Sequence, residues 1–261
     1  MPFRPIESEK LSAAVERQIE ELILRGVLRP GERLPSEREL AERLHVSRPS
    51  LRDAIGLLQN KGLLTAKAGA GIYVAEVLGS AFSPALVELF ARHEEAVFDY
   101  LSFRRDMECL AAERATRMAS TTDLKVIQTI MDQMEVAHGK RNPEDEARLD
   151  AEFHMSIIEA SHNVVMLHMM RSMYQLLREG VFYNRQVMFK QRTARSLLLG
   201  QHKAINDGLQ KRDPKAAREA IETHLDYIET CLRNDVRSAA NEEVARQRLD
   251  HVTGKSGDPQ K

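Results

Sequence analysis

The stretch from Leu34 to Val74, LPSERELAERLHVSRPSLRDAIGLLQNKGLLTAKAGAGIYV, decides the first part of the fold. Ser36 followed by Glu39 is a capping box, in which two side chains satisfy backbone N–H groups at a helix start, and Pro35 precedes it. Leu40 and Leu44, with Ala41 beside them, form one apolar stripe, so this short helix ends near His45. Ser47 is a second cap and Pro49 is tolerated in the first turn. Leu51, Ala54, Ile55 and Leu58 then face inward until Gly62 stops the helix, which leaves Arg48, Ser50 and Arg52 outward. Leu63 to Ala66 and Ile72 to Val74 read as strands around Ala68, Gly69, Ala70 and Gly71. The small tip can approach a sugar-phosphate backbone. Two capped helices, a tight turn and a hairpin make a winged helix-turn-helix.

In such an arrangement the start of the second helix enters the major groove of double-stranded DNA, where arginine grips guanine or phosphate. Ser47, Arg48, Ser50 and Arg52 sit at that end. From Arg43 to Lys67 the charged residues are Arg43, Arg48, Arg52, Lys61 and Lys67 against Asp53, so the segment is basic although the whole chain carries a net charge of −1. A near-neutral chain does not coat nucleic acid; it suits a small reading head on a neutral body. Leu11 to Leu24, ended by Gly26, gives a further helix that buttresses the head.

Length and composition, 261 residues with 43% hydrophobic and 30% charged, fit two ordinary globular domains. No apolar run approaches the ~20 residues that cross a bilayer, and MPFRPIESEK lacks the apolar core of a signal peptide, so the expected location is the cytoplasm, away from membranes. Cys109 and Cys231 fall in different helices without metal-binding spacing and read as buried free thiols.

The head occupies residues 1–76 and the stretch 77–83 is the linker. Beyond it the pattern is helical only, at about 84–92, 95–118, 121–139, 143–160, 163–190, 194–211 and 214–236. Asn142-Pro143, Ser161-His162-Asn163 and Arg212-Asp213-Pro214 mark the clearest breaks. Residues 84–236 therefore form an all-helical second domain, and the charged stretch 237–261 reads as a flexible tail. The fold class is mostly α.

Asp150 and His154 are four apart, which puts a carboxylate and an imidazole on one helical face. His202 and His224 lie in later helices with apolar inward faces, so three helices can converge on one point. Three imidazoles and one carboxylate suit a divalent ion, zinc first, with nickel or manganese as alternatives. The same donors describe hydrolytic centres, so a metal-dependent hydrolase carrying a DNA-binding head is the competing reading. Against it stand the absence of HExxH, of a nucleophile elbow and of a general base paired to the site. Met166, Met169, Met170 and Met173 read as core packing.

Residues 8 to 76 resemble the DNA-binding domain of GntR-family regulators, whose pattern "LRPGERLPSERELAERLHVSRPSLRDAIGLLQNKGLL" followed by "GAGIYV" stands here almost without gaps. The resemblance implies DNA contacts from Arg38, Arg48 and Arg52, with Gly69 at the wing tip. Residues 84 to 236 resemble the FCD-type effector domain of the FadR subgroup. Its D-x-x-x-H, H-x-A-I and A-x-x-x-H-L patterns stand as DAEFH (150–154), HKAI (202–205) and AIETHL (220–225), which implies Asp150, His154, His202 and His224 as metal ligands. Arg104 in "FRRDMECLAAERA" matches an arginine facing the same cavity, four residues before Glu108. The alternatives are a surface ion pair between those two, or Arg105 in the cavity role. Tyr183 and Asn184 in "FYNRQVMF" join the expected effector pocket.

"LVELF", "EASHNVVMLHMMRSM" and "NRQVMF" are similar to pyruvate-, lactate- and glycolate-responsive members of the subgroup, and the head is also similar to that of pyruvate-dehydrogenase-complex repressors. The resemblance implies a homodimeric repressor, not an enzyme, that binds operator DNA and answers to a small hydroxy- or keto-monocarboxylate.

Overall fold

The computed structural model describes residues 10–67, 69–75, 83–178 and 192–253. Two compact units emerge: the chain up to Val87 with Asn163–Leu176, and Glu88–His162 with the chain from Leu177 onward.

In the first unit, α1 (Leu11–Leu24) packs on α3 (Arg48–Asn60), and α2 (Glu37–Leu44) also packs on α3. Their core joins Val15, Ile19 and Ile23 to Ala41, Leu51, Ala54, Ile55 and Leu58. The caps act as read: Ser36 Oγ accepts from Glu39 N at 3.3 Å and Ser47 Oγ from Ser50 N at 3.3 Å. The first box is only half formed, because the Glu39 carboxylate takes Arg43 Nη2 at 2.6 Å. His45, at φ +53, closes α2 in the left-handed region, and Gly62, at φ +73, follows α3.

The wing is an antiparallel pair, β1 (Leu64–Lys67) and β2 (Gly71–Val74), in the register Leu64↔Val74 to Lys67↔Gly71. β1 is shifted one residue from the expected Leu63–Ala66, and β2 starts one residue before the expected Ile72 and ends as expected at Val74. An extended stretch flanks β2: Arg33 bridges Tyr73, and Leu34 N donates to Ile72 O at 2.9 Å. α4 (Pro84–Arg92) has no buried residue.

Also in this unit is the start of α8 (Val164–Arg178), which engages the end of α1. Arg171 Nη2 donates to Gly26 O at 3.0 Å, and His168 Nε2 donates to Leu24 O at 2.9 Å. Gly26 has φ +75, and the Arg171 guanidinium occupies the space of a Cβ there. Met166, Met170 and Met173 are buried as expected, whereas Met169 is 46% exposed.

The second unit is helical. α5 (Glu94–Met118) packs on α7 (Pro143–Ala160) and α10 (Pro214–Thr253), α6 (Thr121–Lys140) on α7 and α9 (Arg192–Gln210), and α9 on α10. Ala111, Ala112, Ile127, Phe153, Ile157, Ile158, Leu198, Ile205, Leu209 and Ile221 fill the interior. The predicted breaks hold. Asn142 Oδ1 caps α7 through Glu144 N at 3.1 Å, Asp213 Oδ1 caps α10 through Lys215 N and Ala216 N, and His162 at φ +51 turns the chain after α7. Arg212 also reaches back to Thr116 O and Ala119 O, satisfying carbonyls at the end of α5.

α10 extends to Thr253, well past the end expected at 236, and residues from Asn234 on are exposed. Burial does not hold this extension. Its residues Ala239, Ala240, Glu242, Glu243, Ala245, Arg246, Gln247 and Leu249 are good helix formers, joined by local contacts such as Gln247 to Glu243. Among the described residues no helix is long and apolar enough to cross a membrane.

Candidate metal centre and nucleic-acid interface

α7 carries Asp150 and His154 one turn apart, α9 carries His202 and α10 carries His224; all four are buried. One ligand atom from each lies within 4.8 Å of the others. His154 Nε2 is 3.2 Å from His224 Nε2 and 3.3 Å from His202 Nε2. Asp150 Oδ1 is 2.9 Å from His202 Nε2 and 3.7 Å from His154 Nε2. An ion about 2.0 to 2.1 Å from each imidazole nitrogen holds tetrahedral neighbours about 3.3 Å apart, which the spacings of His154 to His224 and to His202 match.

Proton placement makes the same point. His224 Nδ1 donates to Gln201 Oε1 at 3.1 Å, which leaves its Nε2 as a lone pair facing inward. Glu108 Oε2 lies 2.6 Å from His154 Nδ1, a contact that suits a proton on that nitrogen and a lone pair on the inward-facing Nε2. With both Nε2 atoms unprotonated, the two lone pairs, 3.2 Å apart, would repel unless a cation sat between them. Burial first, then the charges of His202 and His154, holds the His224 imidazole well below its usual range; burial likewise lowers His154, against the pull of Glu108. Neutral imidazoles are the form that binds metal. The cluster could hold a divalent ion.

Phe153 stands edge-on to His154 and His202, with ring centroids 5.8 and 5.3 Å away, and gives the cage an apolar wall. On the His202 side is a small cavity lined by Met134, His138, Glu146, Arg195, Leu199 and His202. Arg195 Nε donates to both oxygens of Glu146 at 3.0 Å. Sequence spacing did not single out Glu146, Arg195 or Gln201, because each works across elements.

Arg104 is 0% exposed and its Nε donates to Glu108 Oε1 at 2.5 Å, which removes the surface-pair reading. Its charge is felt at both His154 and His224. Arg105, the competitor, is 33% exposed and tied to Asp226 at 2.6 Å. Tyr183 and Asn184 lie outside the described residues. Cys109 is a buried free thiol, pushed up to about 12 by burial and then by Glu222; Cys231 is only half-buried.

In the head, Arg38, Ser47, Arg48 and Arg52 are exposed, Ser50 is half-buried with its Oγ 2.9 Å from Ser47 Oγ, and Gly69 lies at the wing tip with φ +69. The local excess of base is smaller than the sequence count suggested, because acids outside that segment answer it. Arg52 Nε donates to Glu37 at 2.7 Å, Arg43 pairs with Glu39, and Lys61 is held by Glu16 and Glu20 at 2.7 Å each. Lys67 rests over the Tyr73 ring. Arg48, exposed at the start of α3, and Arg38, exposed on α2, have no acidic partner among the described residues.

Residues 11–74 match the bacterial regulatory proteins of the gntR family, and residues 99–227, which contain Arg104 and all four cage residues, match the FCD domain. A regulatory protein assigned to the L-lactate dehydrogenase operon of Escherichia coli (strain K12) is 31% identical over 93% of this chain and 94% of its own. The Glc operon transcriptional activator of the same strain is 29% identical over 87% of this chain and 91% of its own. The HTH-type transcriptional regulator LutR of Bacillus subtilis (strain 168) is 29% identical over 81% and 96%. These relatives are regulators rather than enzymes. With a winged head at one end and the FCD helices at the other, the chain belongs to the gntR family of bacterial regulatory proteins and is a transcriptional regulator of the FCD type.

Proposed function

We propose that this regulator is a homodimeric repressor whose grip on operator DNA is released by a small hydroxy- or keto-monocarboxylate, pyruvate, lactate or glycolate, bound at a metal ion in the helical domain. The observation that carries the reading is the buried cage of Asp150, His154, His202 and His224 with the Arg104 cation beside it. Zinc suits three imidazoles and one carboxylate best, with nickel or manganese as alternatives. When bound, the ion offers positive charge and a further coordination position to the acid. Arg104, held by Glu108, adds a charge-assisted partner for the carboxylate. One relative, a regulatory protein of an L-lactate dehydrogenase operon, supports an acid of this size.

On the DNA side, Arg38, Ser47, Arg48, Ser50 and Arg52 face the duplex and Gly69 lets the wing tip approach it. The head of residues 1–76 and the sensor of residues 84–236 are joined by the linker 77–83. Two heads are needed because one half-site offers too few base contacts. An effector coupling of about 1 to 3 kcal/mol changes operator affinity about 5- to 150-fold.

Calorimetric titration of zinc-loaded protein with pyruvate, L-lactate, D-lactate and glycolate tests the assignment. Saturable heat with one of them, and a weaker gel shift in its presence, is expected. Silence with all four removes it.

A further inference from the structure

Glu108 is 1% exposed and lies between two groups that the proposed function uses. Its Oε1 accepts from Arg104 Nε, and its Oε2 faces His154 Nδ1 at 2.6 Å. His154 Nδ1 makes no straight hydrogen bond among the described residues, and this carboxylate is the group it meets. A carboxylate at that distance from an unprotonated ring nitrogen would set two lone pairs against each other. With the proton on Nδ1 the contact becomes attractive and the lone pair moves to Nε2, the atom aimed at the cage.

We propose that Glu108 is the positioning residue of this site: one carboxylate fixes the ring of His154 with Nε2 presented to the metal and anchors Arg104 beside it. The inference rests on the metal reading above. It follows the general rule that a ligating imidazole is oriented by a carboxylate on its other nitrogen, a partner whose loss costs about 10- to 100-fold in metal affinity. A Glu-Arg pair four residues apart on α5 thereby joins the group that would meet the effector to a ligand on α7.

Two measurements test it. In metal-free wild-type protein, long-range proton–nitrogen NMR correlations of the imidazoles should show His154 protonated on Nδ1; protonation on Nε2 overturns the proposal without any variant. Zinc competition titrations then compare Glu108→Gln with His202→Ala, each checked for native helicity by circular dichroism. Glu108→Gln should weaken zinc about 10- to 100-fold and alter the His154 ring signals. Wild-type affinity and an unchanged His154 spectrum in Glu108→Gln, with binding abolished in His202→Ala, would overturn the positioning role and leave the metal site standing. Unchanged affinity in His202→Ala would remove the metal reading itself.

Discussion

Arg48 and Arg104 carry the same guanidinium in opposite surroundings. Arg48 is exposed at the start of α3 with no acid beside it among the described residues, whereas Arg104 is sealed in the helical unit and bound to Glu108. An exposed cation costs the fold almost nothing and stays available to a duplex. A buried one exists only because the surrounding structure neutralises it, so its partners become part of its function. On the proposed function, Arg48 serves recognition without serving the fold, while Arg104 and Glu108 serve both.

The strongest way to break this contrast is Arg104→Met. It leaves Glu108 buried without its cation and should destabilise the protein by about 3 to 5 kcal/mol, read from denaturant melts. A loss under 1 kcal/mol would mean that the buried pair is dispensable. Next comes Gly208→Ala. A Cβ there would lie 2.7 Å from Ala217 N and 2.8 Å from Ala217 Cα, across the hairpin of α9 and α10. Overpacking of this kind costs about 1 to 3 kcal/mol. Because α9 and α10 carry His202 and His224, zinc affinity should fall with stability.

Arg48→Ala should behave the other way: operator affinity falls by about 1 to 3 kcal/mol in gel shifts if the contact is to a base, while the melting curve moves by no more than about 0.5 kcal/mol. A coupled loss of both would erase the distinction. The smallest effect belongs to Glu37→Gln. It releases Arg52 from a surface pair worth about 0 to 1 kcal/mol, so stability should hold while binding to non-operator DNA tightens and its salt dependence steepens.

The two regions also differed in how far the sequence disclosed them. Caps at Ser36 and Ser47 and the inward set Leu51, Ala54, Ile55 and Leu58 are local signals, and they stand where the spacing put them. The pair Asp150 and His154 was visible for the same reason, being one helical turn apart. What spacing could not reveal were partners supplied by other elements. Glu37 for Arg52, Glu16 and Glu20 for Lys61, and Gln201 for His224 come together only after folding. Glu108 was seen beside Arg104, but its second face, toward His154 on a different helix, was not. The length of α10 is not legible from a buried stripe, because its last turns carry none and rest on intrinsic propensity instead.

The contact between α8 and the end of α1 bears on how the DNA-reading part can be excised. Leu24 and Gly26 offer their carbonyl oxygens to His168 and Arg171, residues more than 140 positions downstream. A fragment cut after the wing keeps the core of the head but strips away both donors, returning those oxygens to solvent and loosening the last turn of α1. Amide exchange at that turn should therefore run faster in the fragment than in the whole chain. The compact unit is accordingly discontinuous in sequence, borrowing a side-chain clamp from a helix encoded far beyond the wing.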